Sequence, residues 1–228
     1  ESILYSGGGD DTIRVWDTDR AEPLEALRGH LAPVQTLALD GSAKTLVSGG
    51  EDGAVIVWDL EVLKLVYSET RAHRGPVHSV HLHPREPILV SGGKDGKVRL
   101  WDLDGLQPIR TLVEHQKSIT QVEFTPNGEH LISSSADGTL IVWDWKNGKV
   151  LQTLTQHTKS VNGFGISPLG REVLSGGKDG AIHRWVLGKE ESAGALDSVS
   201  GPVEKVRFAN NGKQILAALS DGTLLTWG

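Results

Sequence analysis

The chain has no cysteine and no methionine among its 228 residues, and only three phenylalanines and two tyrosines. Without cysteine it can form no disulfide, no thiolate metal site and no cysteine nucleophile, although that absence does not place the compartment. Nowhere does an apolar run reach the length needed to cross a bilayer or to serve as a signal sequence. Positive charge is not in excess: 23 Lys and Arg face 29 Asp and Glu, a formal net charge of -6. That balance argues against non-specific nucleic-acid or acidic-membrane binding as the main activity. The composition therefore predicts no nucleic-acid partner, no membrane association and a cytoplasmic location. Low-complexity segments and linkers are also missing, the loosest stretch being Leu187 to Gly201.

One aromatic residue is not scarce. Trp16, Trp58, Trp101, Trp143, Trp185 and Trp227 recur at intervals of 42, 43, 42, 42 and 42 residues. A period of that length marks one supersecondary unit copied along the chain. Asp10, Asp52, Asp95, Asp137, Asp179 and Asp221 each precede a tryptophan by six residues, and the last five open an Asp-Gly pair. Asp-Gly between apolar runs signals a tight hairpin in which both central residues take positive φ. A β-branched or aliphatic run follows each turn, as in Ala54 to Asp59, and another precedes it, as in Thr45 to Ser48. His30, His73, His115 and His157 stand four residues before Val34, Val77, Ile119 and Val161, each of which opens a further strand. A fourth run follows the tryptophan, as in Lys64 to Tyr67. Each repeat thus predicts about four short strands and no helix.

The pairs Gly29-His30, Trp58-Asp59, Trp101-Asp102 and Trp143-Asp144 complete a pattern that resembles the WD-repeat β-propeller family over essentially the whole chain. The resemblance implies an all-β fold of four-stranded antiparallel blades around a channel, each repeat supplying strand d of one blade and strands a, b and c of the next. On that register the chain is a single domain, residues 1–228, of about five and a half blades. It opens in strand b near Ile3 and stops at the end of a strand c at Trp227, so the first blade lacks strand a and the last lacks strand d. An open arc would expose strand edges, so the expectation is a fragment of a six- or seven-bladed ring.

Four repeats carry a set that could suggest catalysis: His30, Ser48, Asp52 and Trp58; His73, Ser91, Asp95 and Trp101; His115, Ser133, Asp137 and Trp143; His157, Ser175, Asp179 and Trp185. One reading is a Ser-His-Asp hydrolase. The other, which the resemblance also implies, is a structural relay. Indole N–H only donates, hydroxyl and neutral imidazole both donate and accept, and carboxylate only accepts, so the chain closes with no orphan. A nucleophile is needed once per site, and four copies at the repeat interval are architecture. The last repeat has Val199 and Ala217 in the histidine and serine places, both polar partners lost together. Another candidate is His78, His81 and His83 on one strand, which invites a metal. With no cysteine or acidic neighbour in the run, the preferred reading is a rim residue, a core-side replacement and a strand end before Pro84. No metal and no cofactor is expected.

The resemblance also implies a partner-binding rim, formed by the residues flanking the first apolar residue of strand a and the residue before the turn aspartate. Carried over, these are Pro33, Gln35 and Glu51; Pro76, His78 and Lys94; Ser118, Thr120 and Ala136; Ser160, Asn162 and Lys178; Pro202, Glu204 and Ser220; and Gly9 in the first repeat. Interface hot spots favour tryptophan, tyrosine and arginine, and this rim has none. Phosphopeptide capture calls for arginines and methyl-lysine capture for an aromatic cage, so both are disfavoured. Further departures cluster late: Arg184 stands where earlier repeats have valine or leucine, Val186 replaces the aspartate after tryptophan, and His183 lies between Ile182 and Arg184. They read as repeat degeneracy in preference to a partner contact. The expected function is a non-enzymatic platform for partner proteins or sibling domains. The alternative is the sensing domain of a larger signalling protein, an NTPase switch or kinase. A propeller enzyme would need a single cluster of carboxylates or histidines, and the rim supplies only Glu51, Glu204 and His78, from different repeats.

Overall fold

The computed structural model describes residues 2–189 and 192–228. The chain forms two compact units, Glu1–Val113 and Glu114–Gly228, of three sheets each. In the first unit, β1 (Ile3–Gly7), β2 (Thr12–Asp17) and β3 (Glu22–Arg28) make a three-stranded sheet. Two four-stranded sheets follow, β4 (Val34–Leu39), β5 (Thr45–Gly50), β6 (Val55–Asp59) and β7 (Lys64–Glu69), then β8 (Val77–Leu82), β9 (Ile88–Gly93), β10 (Val98–Asp102) and β11 (Gln107–Leu112). The second unit has the four-stranded sheets β12 (Ile119–Phe124), β13 (Leu131–Ser135), β14 (Leu140–Asp144), β15 (Lys149–Leu154) and β16 (Val161–Ile166), β17 (Glu172–Gly177), β18 (Ala181–Val186), β19 (Ser192–Ser198). It closes with the three strands β20 (Val203–Ala209), β21 (Gln214–Leu219) and β22 (Leu224–Trp227). Every pairing is antiparallel between sequence neighbours, and a single 3-10 turn at Asn210–Gly212 is the helical content of the described residues.

This is the strand order of WD-type propeller blades, and side-chain alternation explains how the sheets pack. Successive residues of a strand point to opposite faces. Leu46 and Ile56 face the first sheet and join Ile13, Val15 and Leu27, while Val47 and Val57 face the third and join Val80 and Leu89. Val173 and Leu174 divide in the same way between the two cores of the second unit. A strand packed on both faces must be apolar or small throughout, and β5, β9, β13 and β17 are buried along almost their whole length. The outer strands β3, β7, β11 and β15 are largely exposed. Trp58, Trp101 and Trp185 all lie on the face toward the preceding sheet.

The hairpin turns differ from the two-residue form expected of Asp-Gly. Gly53 N donates to Gly50 O at 3.2 Å and Gly50 N to Ala54 O at 3.2 Å, so the turn spans Gly50 to Gly53. Only the glycine has positive φ, 78° at Gly53, while Asp52 does not. This is a turn closed by a left-handed glycine. The wider loop arises because the Asp52 carboxylate is drawn inward to accept hydrogen bonds. The left-handed residue is glycine in five copies and Asp11, at φ 66°, in the first.

Glycine is also required by close approach. A Cβ on Gly53 would lie 2.6 Å from His73 O, and Gly53 O accepts the His73 amide at 3.0 Å. In the second unit a Cβ on Gly180 would lie 2.5 Å from Val199 O, with Val199 N bonded to Gly180 O. These two turns thereby hold the start of the repeat that follows each. Gly53→Ala should cost about 1–3 kcal/mol from left-handed strain alone, with the carbonyl clash adding to it. Urea unfolding that shows no loss would contradict this packing.

Candidate functional site: buried relays and the turn-end rim

Each of the four polar sets sits at one end of its sheet and joins four separate pieces of chain. In the second sheet, Trp58 Nε1 on β6 donates to Ser48 Oγ on β5 at 2.9 Å, and Ser48 Oγ lies 2.8 Å from His30 Nε2. His30 Nδ1 lies 3.0 Å from Asp52 in the turn. Trp101, Ser91, His73 and Asp95 repeat this at 2.9, 2.8 and 2.8 Å. Trp143, Ser133, His115 and Asp137 do so at 2.8, 2.8 and 3.1 Å, and Trp185, Ser175, His157 and Asp179 at 2.9, 2.8 and 3.0 Å. A ring whose Nε2 accepts from the serine hydroxyl and whose Nδ1–H donates to the carboxylate satisfies every group of the set.

The carboxylates are more fully occupied than the four-residue set alone requires. Asp52 accepts the amides of Leu31 at 2.8 Å and Ala54 at 3.0 Å, and Asp137 and Asp179 accept the corresponding pairs. Burial by itself would raise the pKa values of Asp52, Asp95, Asp137 and Asp179. Hydrogen bonds from these amides and the histidines outweigh it and hold all four below the usual carboxylate range. Burial lowers His73 and His115 despite their carboxylate partners. Two additions carried no repeat signal. Arg99 donates to Asp95 at 2.9 Å, and Thr139 Oγ1 donates to Asp137 at 2.6 Å. A seventh tryptophan outside the period, Trp145, is buried, donates to Gly128 O and stacks edge-on against Phe124.

As catalytic groups these sets fail on access. Ser48, Ser91, Ser133 and Ser175 are each 0% exposed and already accept an indole N–H, so no substrate carbonyl can reach the oxygen. In the first sheet Trp16 still donates to Ser6, at 2.8 Å. There Arg14 donates to Asp10 at 2.8 Å and holds that carboxyl down at about 2. The metal candidates disperse as well: the buried His83 Nδ1 accepts the amides of Arg85 and Glu86, capping a turn. Among the described residues no three His, Cys, Asp or Glu side chains converge on a metal position.

The rim positions gather at the turn end. The amide before each turn aspartate donates to the carbonyl before strand a: Glu51 to Pro33, Lys94 to Pro76, Ala136 to Ser118, Lys178 to Ser160 and Ser220 to Pro202, at 2.8–3.0 Å. Gln35, Glu51, Lys94, Lys178, Glu204 and Ser220 are exposed, as is Gly9, while the remainder are half-buried. Their side chains divide by unit. In the first, Gln35 donates to Glu51 at 2.8 Å. His78 is pushed down by burial and then by Lys94, with Glu51 opposing. In the second, Thr120 Oγ1 donates to Val161 O at 2.7 Å and Asn162 Nδ2 to Val203 O at 3.1 Å, both committed to the neighbouring sheet. Arg184, the late departure from the pattern, is paired twice with Glu172.

Residues 1–17, 21–59, 64–102, 106–144 and 148–185 match the model of the WD domain, G-beta repeat family. The chain belongs to the WD40 repeat family. The matched segments end before β20, whose sheet lacks the histidine and serine of the relay. Similar proteins include Mitochondrial division protein 1 of Saccharomyces cerevisiae, 31% identical over 70 residues, covering 31% of this chain and 10% of that protein. The THO complex subunit 6 homolog of Rattus norvegicus is 41% identical over 66 residues, 29% of this chain and 19% of that protein. Cell division control protein 4 of Candida albicans is 40% identical over 65 residues, 28% and 10% respectively. The matched stretch is thus at most about a fifth of the length of these relatives.

Two predictions follow from the relay. His115→Ala leaves the Ser133 hydroxyl proton without its acceptor and takes one donor from Asp137, and should cost about 1–3 kcal/mol. The pair His115→Val with Ser133→Ala, which copies the last repeat, should cost less than the sum of its single changes, and additive losses in a double-mutant cycle would count against the relay. The second concerns pH. His73 and His115 sit below their unfolded value of about 6.5 and the four aspartates below about 3.9. In both cases the unfolded chain binds protons first, so stability is full at and above those values and falls as pH drops. Denaturant midpoints should decline from about pH 6.5 downward and again below about pH 4; a midpoint that rises on acidification would exclude this.

Proposed function

We propose that the chain is a non-catalytic platform that holds partner proteins at the turn end of its sheets, with the exposed Gln35, Glu51 and Lys94 and the half-buried His78 of the first unit as its main contact. WD40 repeat proteins generally act as protein-interaction scaffolds, and one similar protein is named as a subunit of a complex. The observation that carries the reading is the commitment of side chains. The polar sets that resemble catalytic triads are buried and saturated, whereas this group combines both charges on a backbone pinned by the Glu51 and Lys94 amides. A rigid surface loses little entropy on docking, and mixed charge sets register and association rate more than bulk affinity. A partner carrying complementary acidic and basic groups fits, in preference to a phosphopeptide or a methylated lysine. Sensing within a larger signalling chain remains the second reading, because a platform of this kind can serve either role.

The test is co-purification of partners with the wild-type chain and with a Glu51→Lys, Lys94→Glu double variant. The charge swap should remove the bound proteins while leaving the thermal melt unchanged within about 2 °C, since exposed substitutions usually change stability little. Partners retained in full by the variant would move the contact elsewhere, and turnover of a substrate by the wild type would defeat the non-catalytic reading.

A further inference from the structure

The residue two before the tryptophan varies among the repeats: Arg14, Ile56, Arg99, Ile141, His183 and Leu225. The arginines donate to their turn aspartates, Arg14 to Asp10 and Arg99 to Asp95, both at 2.8–2.9 Å. The isoleucines pack in or against the core. His183 does neither. It is 8% exposed, its ring stands edge-on to His157 with centroids 4.6 Å apart, and its buried Nδ1 has no hydrogen-bond partner. On its other side lies Trp185, at 5.5 Å. Opposite it on the flanking strands are Ser175 of β17 and Ala195 of β19. The ionisable groups that act on it are His157 and Asp179, and the core that Trp185 joins on that face presents Leu140, Val142 and Leu154.

We infer that His183 is an acid-sensitive switch built into the fifth sheet: a proton taken up by its ring loosens the relay beneath it and the turn that carries the rim residue Lys178, whose amide holds Ser160. The Asp179 carboxylate already holds His157 and the amides of Thr158 and Ala181. Asp95, held equally by His73 and the amides of Arg74 and Lys97, also accepts Arg99, whereas the buried Nδ1 of His183 makes no bond to Asp179. A charge on His183 would sit in an apolar face against a second imidazole, and burial followed by His157 holds its pKa below the usual histidine value, with Asp179 opposing. His157 bonds to Asp179, and Lys178 N bonds to Ser160 O, so strain on the relay is carried to the rim. The switch does not depend on which partner the rim holds.

Thermal unfolding of the chain and of two variants, His183→Ile and His183→Arg, at about pH 7.5 and 5.5 tests this. Both replacements occupy the same position in sibling repeats. All three proteins share the acid loss from the remaining histidines. The wild type should lose about 2 °C or more of melting temperature beyond the isoleucine variant between the two pH values, and the arginine variant, charged at both, should lack the excess too. Equal losses in the wild type and both variants would overturn the proposal, as would a titration of the His183 ring by NMR showing ordinary behaviour with no effect on the signals of His157. If one variant is poorly folded, the other and the ring titration still decide.

Discussion

A dry tryptophan N–H needs an acceptor, and most of what is specific in this protein follows from how that need is met. Indole supplies a large apolar surface to the sheet-to-sheet core but brings one donor with it. The serine on the adjacent strand accepts it, the histidine from the preceding connection accepts from the serine, and the turn aspartate ends the chain. The network therefore ties together two strands, a turn and the entry to the sheet. None of these could shift without orphaning a buried group, at a cost comparable to a fair share of a domain's net stability.

The same network determines what the turn end can do. By drawing the aspartate inward, it leaves the preceding residue at the surface and directs its amide to the carbonyl before strand a. The rim is then rigid backbone carrying interchangeable side chains. In the second unit, Thr120 and Asn162 spend their polarity on carbonyls of the neighbouring sheet, which strengthens packing and leaves less for a partner. In the first unit Gln35 pairs with Glu51, and Lys94 and Glu51 act in opposite senses on the half-buried His78. Fold and surface chemistry are thereby separable, and a strongly specified scaffold can carry weakly specified surfaces.

Variation among the copies is equally informative. Arg99 and Thr139 add donors to a relay that closes without them. The last repeat removes both middle partners and fills the space with Val199 and Ala217, the latter 1% exposed, a paired loss that avoids leaving one polar group alone. At His183, as at His130, a buried Nδ1 has no hydrogen-bond partner among the described residues. Natural folds carry few of these, and the position of His183 over a relay gives it a consequence.

The amino-acid sequence by itself determined the all-β class, the repeat, the strand starts at Val34, Val77, Ile119 and Val161, and the membership of each polar set. These rest on local alternation and on a fixed spacing that repeats enough times to exclude chance. It misjudged the turn, because Asp-Gly describes a two-residue hairpin only when the aspartate has no stronger bonds elsewhere. It could not show that Thr120 and Asn162 turn toward the next sheet, that Arg99 reaches a relay, or that His183 lies against His157. Those facts depend on which side chains from distant parts of the chain come within about 3 Å of one another, and only the tertiary packing of one sheet on the next decides that.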